Sequence, residues 1–218
     1  MAIARDLYVD GLDASPGTSL TWSHTCTGTD RGLIVEVFVQ NASNTITGIT
    51  YASVSMTLVD VQRKNANNEY CMLYRLANPA SGANNVVVSA SSSFFQARSV
   101  SYTGVHQTTM QDTSAKNTGA GVSTLSVTPT STVDGCWAVT VARNDTGAVT
   151  DGTNYVGLHD ASLEIGDSNG SLGTAGSKTI TINGPSGGMC MVTCVIAPAS
   201  GGGGGGSTPM RLTLMGVS

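Results

Sequence analysis

Polar and apolar residues alternate along residues 20–26, where leucine, tryptophan, histidine and cysteine fall on one side of an extended chain and three hydroxyl residues on the other. A period of two predicts a half-buried β-strand. Residues 33–39 are instead almost continuously apolar, which is typical of a strand buried on both faces. Similar short runs predict ten further strands, at residues 46–51, 56–61, 70–76, 85–91, 94–102, 122–127, 136–143, 155–159, 178–182 and 189–196.

The connections at 144–147, 151–152 and 167–170 are rich in Asn, Asp and Gly, which tolerate positive φ and favour hairpin turns. We therefore predict an all-β fold, an antiparallel two-sheet sandwich of jelly-roll-like form with a glycine-tethered C-terminal strand. Its inner faces are expected to carry the apolar strand residues Trp22, Leu33, Val35, Val37, Leu73, Trp137, Val139, Val192 and Cys194.

Composition divides the chain into four segments: an N-terminal arm (1–17), the sandwich domain (18–198), a glycine-rich linker (199–206) and a C-terminal tail (207–218). The linker contains six consecutive glycines, a composition typical of a flexible spacer. The tail alternates again and predicts a strand, which needs a groove or a sheet edge on its own domain or on a neighbouring subunit. The candidate assembly contacts are Met210, Leu212, Leu214 and Met215.

The surface is predicted to be polar but nearly uncharged. Only 11% of the residues are charged and the net charge is −4, against roughly 25% charged residues in ordinary soluble domains. Arg63 and Lys64 are the only adjacent basic pair, so the chain has no electrostatic footprint for nucleic acid. The apolar runs are far shorter than the roughly 18 residues that cross a bilayer, and residues 1–11 lack a signal-peptide core. These features predict synthesis in a cytoplasm, with neither nucleic acid nor membrane as a partner.

The cysteines do not form a repeating pattern. They are Cys26, Cys71, Cys136, Cys190 and Cys194, an odd number that does not indicate a disulfide framework. The last two fall in one predicted strand, where residues four apart are separated by roughly 13 Å. That distance is too long for one disulfide or one tetrahedral metal. We expect buried, reduced thiols, no metal site and no cofactor.

The residue types of hydrolytic sites are present, but their patterns favour structural roles. No Gly-x-Ser-x-Gly elbow accompanies the three histidines, and His24 lies on the apolar side of its strand, as a hydrogen-bonded core histidine would. A glycosidase needs two carboxylates at a fixed separation. The candidates by type are Asp112, Asp134, Glu164 and Asp167, for which turn chemistry is the better interpretation.

Two further patterns are weighed in the same way. Residues 167–170 begin like a calcium loop, but Lys178 stands where an EF-hand has its bidentate glutamate. Trp22 and Trp137 have rings that can stack on a sugar, yet both lie in apolar strand patterns that favour core packing.

The order of several blocks resembles a known family. SLTWSHTCTGTDRGLIVEVFV is followed by ITGITYASVSMTLVDVQ, CMLYRLANPASGANNVVVSAS, ARSVSYTGVHQTT and TVDGCWAVTVARN. This combination is similar to a jelly-roll-like β-sandwich domain of phage structural proteins and bacterial surface proteins, over residues 18–198. The resemblance implies a non-enzymatic module without catalytic residues. A free-standing, leaderless copy implies a phage virion component.

The function expected from the sequence is therefore structural. The chain is predicted to be a non-enzymatic virion protein, a capsid surface (decoration) component that contacts copies of itself and other virion proteins. The alternative is a receptor- or glycan-binding module of a tail fibre or a cell-surface adhesin, which requires that Tyr8, Tyr51, Tyr155 or Trp137 face solvent. A carbohydrate-active enzyme is the least favoured hypothesis.

Overall fold

The fold is known from a computed structural model, which describes residues 1–11, 13–40, 46–64, 69–159 and 161–199. Within these ranges the chain forms fifteen strands and no helix. The strands are β1 (Ala4–Val9), β2 (Asp13–Cys26), β3 (Gly32–Gln40), β4 (Ile46–Tyr51), β5 (Val54–Ser55), β6 (Thr57–Arg63), β7 (Glu69–Ala77), β8 (Gly82–Thr103), β9 (Gln111–Val127), β10 (Thr130–Ser131), β11 (Trp137–Asn144), β12 (Val156–Gly157), β13 (Leu163–Asp167), β14 (Gly176–Ser177) and β15 (Ile180–Ile196).

Two antiparallel sheets carry nearly all of these strands. The first has the order β5-β4-β8-β3-β7-β6, with β1 and β2 also paired to β8. The second has the order β12-β13-β11-β15-β9, and β10 pairs with β14 separately. The predicted all-β, antiparallel sandwich is therefore confirmed at the level of fold class. No helix within the described ranges is long and apolar enough to span a membrane.

Strand β8 organises the first sheet because its two halves have different neighbours. Its first half pairs with β2 on one side and β4 on the other, and its second half pairs with β1 and β3. Side chains from the first half and β4 share one buried cluster with side chains from β3 and β7. The sheet therefore curls back over itself and encloses a core of its own.

A second core lies between the two sheets. It contains Ile34, Phe38, Leu73 and Val100 from the first sheet and Val139, Val141, Val192 and Ile196 from the second. The continuous apolar run of β3 explains how one strand serves both cores, since alternate side chains point to opposite faces. Of the nine residues predicted for the inner faces, eight are buried, but four of them belong to the first core rather than the space between the sheets: Trp22, Leu33, Val35 and Val37. The ninth, Trp137, is half-buried.

Strand boundaries differ from the prediction in several places. The predicted strands 85–91 and 94–102 are one strand, β8, and 178–182 and 189–196 are one strand, β15. Both long strands contain register shifts opposite their partners, so the polar residues between the apolar runs mark irregularities within a strand rather than turns. Residues 4–9, placed in the N-terminal arm by composition, form β1 on the edge of the first sheet.

Candidate functional site

A groove surrounds the last described residues, Pro198 and Ala199. Three adjoining cavities of about 580, 370 and 210 Å³ share Ala199 as a wall, and the two larger ones also share Pro198. We call them together the Pro198 groove. It is lined by Met1, Ala2, Ile3, Asp30, His106, Gln107, Thr108, Thr109, Gln111, Asp112, Thr132, Val133, Asp134, Gly135, Trp137, Ser171, Ala197, Pro198 and Ala199. On the side of the first sheet these residues lie in connections at strand ends (1–3, 30 and 106–109), and on the side of the second sheet they include the starts of β9 and β11, so the groove lies at one end of the sandwich.

Backbone hydrogen bonds hold the centre of the groove in place. The N–H of Ala197 donates to the carbonyl of Met110 at 2.8 Å, and the N–H of Ala199 donates to the carbonyl of Gly104 at 2.7 Å. Gly104 has φ of +68°, and a Cβ at this position would lie 2.1 Å from the carbonyl oxygen of Ala2. Only glycine permits both the left-handed backbone and this close approach. The segment after β15 is therefore fixed against Met1 and the 104–110 loop.

The groove is acidic at its rim and apolar in part of its wall. Each cavity is lined by one aspartate, respectively Asp112, Asp134 and Asp30, and none by lysine or arginine. Asp112 accepts hydrogen bonds from the backbone N–H of Thr132 at 2.7 Å and from its hydroxyl. Asp134 accepts the N–H of Ala175 at 2.7 Å. Asp134 lies in a turn, as predicted, whereas Asp112 lies in strand β9 and its hydrogen bonds tie that strand to Thr132.

The apolar wall of the second cavity is formed by Met1, Ile3, Trp137 and Pro198. Trp137 is half-buried and its ring packs edge-on against Tyr102, with ring centroids 6.1 Å apart. His106 lines the other two cavities. Its Nδ1 accepts the N–H of Thr109 at 3.1 Å.

The outer edge of β2 is a second surface feature. β2 pairs with β8 on one side, and no other strand of the described ranges pairs with it. The exposed face of β2 carries Ser19, Thr21 and Ser23, and no Asp, Glu, Lys or Arg occurs from residue 14 to residue 29. Edge strands of soluble proteins are often protected from pairing with other strands by charged side chains. Residues 14–29 lack that protection, so another strand could pair with this edge.

A buried carboxylate ties the two sheets together. Asp167 at the end of β13 is fully buried, and it accepts hydrogen bonds from Arg5 Nε at 2.8 Å, Arg5 Nη2 at 2.6 Å and the Tyr102 hydroxyl at 2.9 Å. The side-chain hydrogen bond to Asp167 raises the pKa of Arg5. Because Arg5 and Tyr102 belong to the first sheet and Asp167 to the second, these hydrogen bonds join the two sheets.

A second buried ion pair lies between Glu36 on β3 and Arg98 on β8. Glu36 is fully buried, and its Oε1 is 3.0 Å from Nη1 of Arg98. The Nε of Arg98 also donates to Asp10 at 2.6 Å. Burial raises the pKa of Glu36 to about 7, because desolvation penalises the carboxylate more than Arg98 stabilises it. This pair lies inside the packed fold rather than in the groove.

The structure corrects the interpretation of two candidate carboxylates. Turn chemistry was the interpretation predicted for Glu164 and Asp167, but both are buried residues of strand β13. The apolar neighbours Leu163 and Ile165 were the signal for this strand, and the adjacent Asp-Ser-Asn-Gly turn obscured it. The oxygens of Asp167 are engaged by Arg5, Tyr102 and the N–H of Asn169 rather than arranged for calcium. Across the described ranges, no cluster of three His, Cys, Asp or Glu residues is placed to hold a metal.

Two other predictions concern His24 and the thiols. His24 is buried, and its Nδ1 lies 2.8 Å from the Ser99 hydroxyl, to which the Trp22 indole N–H donates at 2.9 Å. The predicted hydrogen-bonded core histidine is confirmed, and burial lowers its pKa to about 4. All five cysteines are buried and free, also as predicted. Burial raises the pKa of Cys136 and of Cys194 to about 12.

The candidate assembly contacts Met210, Leu212, Leu214 and Met215 lie outside the described residues, as do the glycine tract and the rest of the tail. The Pro198 groove was not found from the sequence. Its only signal was the block at residues 102–107, which supplies Gly104 and His106. Comparison of the chain with protein-family models, curated proteins and solved structures finds no match.

Proposed function

We propose that this chain is a non-enzymatic structural protein of a phage virion, a capsid surface (decoration) component present in repeated copies. The observation that carries the proposal is the edge of β2, with which only β8 pairs in the described ranges, and whose exposed face at Ser19, Thr21 and Ser23 is uncharged. A subunit of a lattice needs surfaces that pair with copies of itself or with other shell proteins, and a free strand edge provides one.

Low surface charge supports the same function. With 24 charged residues in 218, copies can pack closely without strong mutual repulsion. Several of these charges are also withdrawn into the fold, as in the contacts of Asp167 with Arg5 and of Glu36 with Arg98. The outer faces are therefore suited to close packing of identical subunits.

The alternative, a receptor- or glycan-binding module, was expected to present aromatic side chains to solvent. Tyr51 and Tyr155 are buried in the structure. Tyr8 and Trp137 are half-buried, and Trp137, in the wall of the Pro198 groove, favours this alternative. A glycan ligand would then be expected to quench or shift its fluorescence.

Electron microscopy of purified particles, labelled with an antibody against the chain, tests the location. A regular array of label over the shell is the expected result. Label confined to fibre tips would favour the receptor-binding alternative, and particles that consistently lack the chain would refute the virion function.

The role of β2 is tested in the purified protein by the double variant Thr21→Lys/Ser23→Lys. Lysine on an exposed strand edge discourages pairing, so self-association measured by sedimentation should weaken. The matched control is Thr150→Lys/Thr153→Lys, which adds the same charge at exposed positions away from β2. Equal effects of both variants would mean that charge alone, and not the β2 edge, controls association.

A further inference from the structure

We propose that residues 210–215 of the tail dock as a strand in the Pro198 groove of their own chain in the free subunit. This inference does not rest on the virion function, because it concerns the isolated chain. Three observations support it: where the described fold ends, the apolar wall of the groove, and the charge of the groove.

The described fold ends inside the groove itself. Ala199 is a wall of all three cavities and is held by the hydrogen bond from its N–H to Gly104. Ten residues, 200–209, separate Ala199 from Met210. Such a connection spans at most about 35–40 Å when extended, so the segment can reverse direction and reach any part of the groove. A short connection also gives an effective concentration in the millimolar range.

The shape and polarity of the groove suit the segment. The two larger cavities, about 580 and 370 Å³, have the volume of pockets that enclose several side chains. Met210, Leu212 and Leu214 would lie on one side of an extended segment, and the wall formed by Ile3, Trp137 and Pro198 offers them apolar contact.

The charges are complementary. Arg211 is the only charged side chain in residues 207–218, and in an extended segment it would lie on the opposite side from Leu212. The groove is lined by Asp30, Asp112 and Asp134 and by no lysine or arginine, and its basic groups are His106 and the Met1 ammonium, which donates to the Ala199 carbonyl at 3.2 Å. An arginine in such a groove gains favourable interactions that high salt weakens.

The two tryptophans allow a direct test in the full-length protein. Trp137 lines the groove, whereas Trp22 lies in the first core with its indole N–H bonded to Ser99. In ¹H–¹⁵N spectra the Leu212→Asp/Leu214→Asp variant should shift the Trp137 indole resonance by more than its linewidth and leave the Trp22 resonance unchanged. The control Thr213→Asp places a charge on the other side of the strand and should shift Trp137 less.

The groove side is tested by Val133→Asn, which removes an apolar contact without adding charge, at a side chain that is 42% exposed and lines the cavity of about 580 Å³. This variant should increase the rate at which trypsin cleaves after Arg211, the only Lys or Arg beyond Lys178. The fragment that is released is identified by its mass, so cleavage elsewhere is not mistaken for it.

Each outcome decides the proposal. Shifts that do not change with protein concentration support docking within one chain. Shifts that appear only at high concentration would place the segment in a neighbour's groove and overturn the same-chain assignment. Identical Trp137 resonances in the wild type and the Leu212→Asp/Leu214→Asp variant would refute docking in this groove altogether. None of these results depends on whether the chain is found in particles, so the two proposals fail separately.

Discussion

Replacing Asp167 by alanine should destabilise the fold more than replacing any exposed aspartate. The substitution leaves the buried Tyr102 hydroxyl without its acceptor, at a cost of about 1–3 kcal/mol. It also removes the partner of Arg5. Removing one partner of a fully buried ion pair costs about 3–5 kcal/mol, but the Arg5 side chain is 29% exposed and regains water, which reduces its share. We expect a total loss of about 3 kcal/mol.

Equilibrium unfolding in urea, followed by tryptophan fluorescence, measures this loss. For a chain of this size 1 kcal/mol corresponds to about 2–4 °C in the melting temperature, so thermal unfolding should fall by roughly 6–12 °C. Tyr102→Phe removes one donor and should cost less than Asp167→Ala. Asp134→Ala removes a single hydrogen bond at an exposed site and is the matched control. If Asp167→Ala lowers the free energy of unfolding by no more than Asp134→Ala does, the hydrogen bonds of Asp167 between the sheets do not contribute to stability as argued.

Four further predictions concern pH, thiols, the groove and the tail. Because the pKa of Glu36 is raised, its contribution to stability is full below about pH 4.5 and is lost as pH rises through about 7. Because the pKa of His24 is lowered, its contribution is full above about pH 6.5 and is lost as pH falls through about 4. In urea unfolding between pH 4.5 and 6.5, stability should therefore rise with pH in Glu36→Gln and fall with pH in His24→Gln, and the same slope in both variants would contradict the assignment. Thiol titration of the unfolded, non-reduced chain should find all five thiols, and finding three or one would establish a disulfide. Gly104→Ala should displace Ala2 and alter the Trp137 fluorescence, and an unchanged spectrum would show that the groove does not need this glycine. Deleting residues 207–218 should leave the circular dichroism of the sandwich intact but weaken attachment to the particle, and unchanged attachment at the same salt concentration would return the tail to a local role.

The fold class was predictable because strand periodicity is a local signal. Residues 20–26 and 33–39 were assigned correctly from alternation and from a continuous apolar run. β13 was missed because its five residues include two carboxylates and a glycine, and its burial depends on Arg5, which lies 162 positions away. The length of β9 was missed for a related reason, since its first half is polar and half-exposed and is held by pairing with β15.

The Pro198 groove could not be predicted from the sequence because no single segment forms it. Its walls come from residues near 1, 30, 106, 133 and 198, which only the sheet pairings bring together. Periodicity predicts which face of a strand is buried, but it does not specify which strand ends meet. The unfavourable setting of Glu36 is similarly non-local, because its partner Arg98 is 62 positions away on β8.

The central position of β8 also has a consequence for the order in which the chain acquires structure during synthesis. β1, β2 and β4 all take their main ladder from β8, which is complete only at Thr103. A ribosome adding about 5–20 residues per second needs roughly 3–10 s to pass from residue 51 to residue 103. Throughout that interval β1, β2 and β4 have been synthesised but their partner β8 is not yet complete. Their pairing with β8 joins residues far apart in the sequence, and such pairing forms slowly. Nascent chains of this protein should therefore bind a holding chaperone most strongly just before β8 emerges, and a translational pause placed after residue 51 should increase aggregation more than the same pause placed after residue 103.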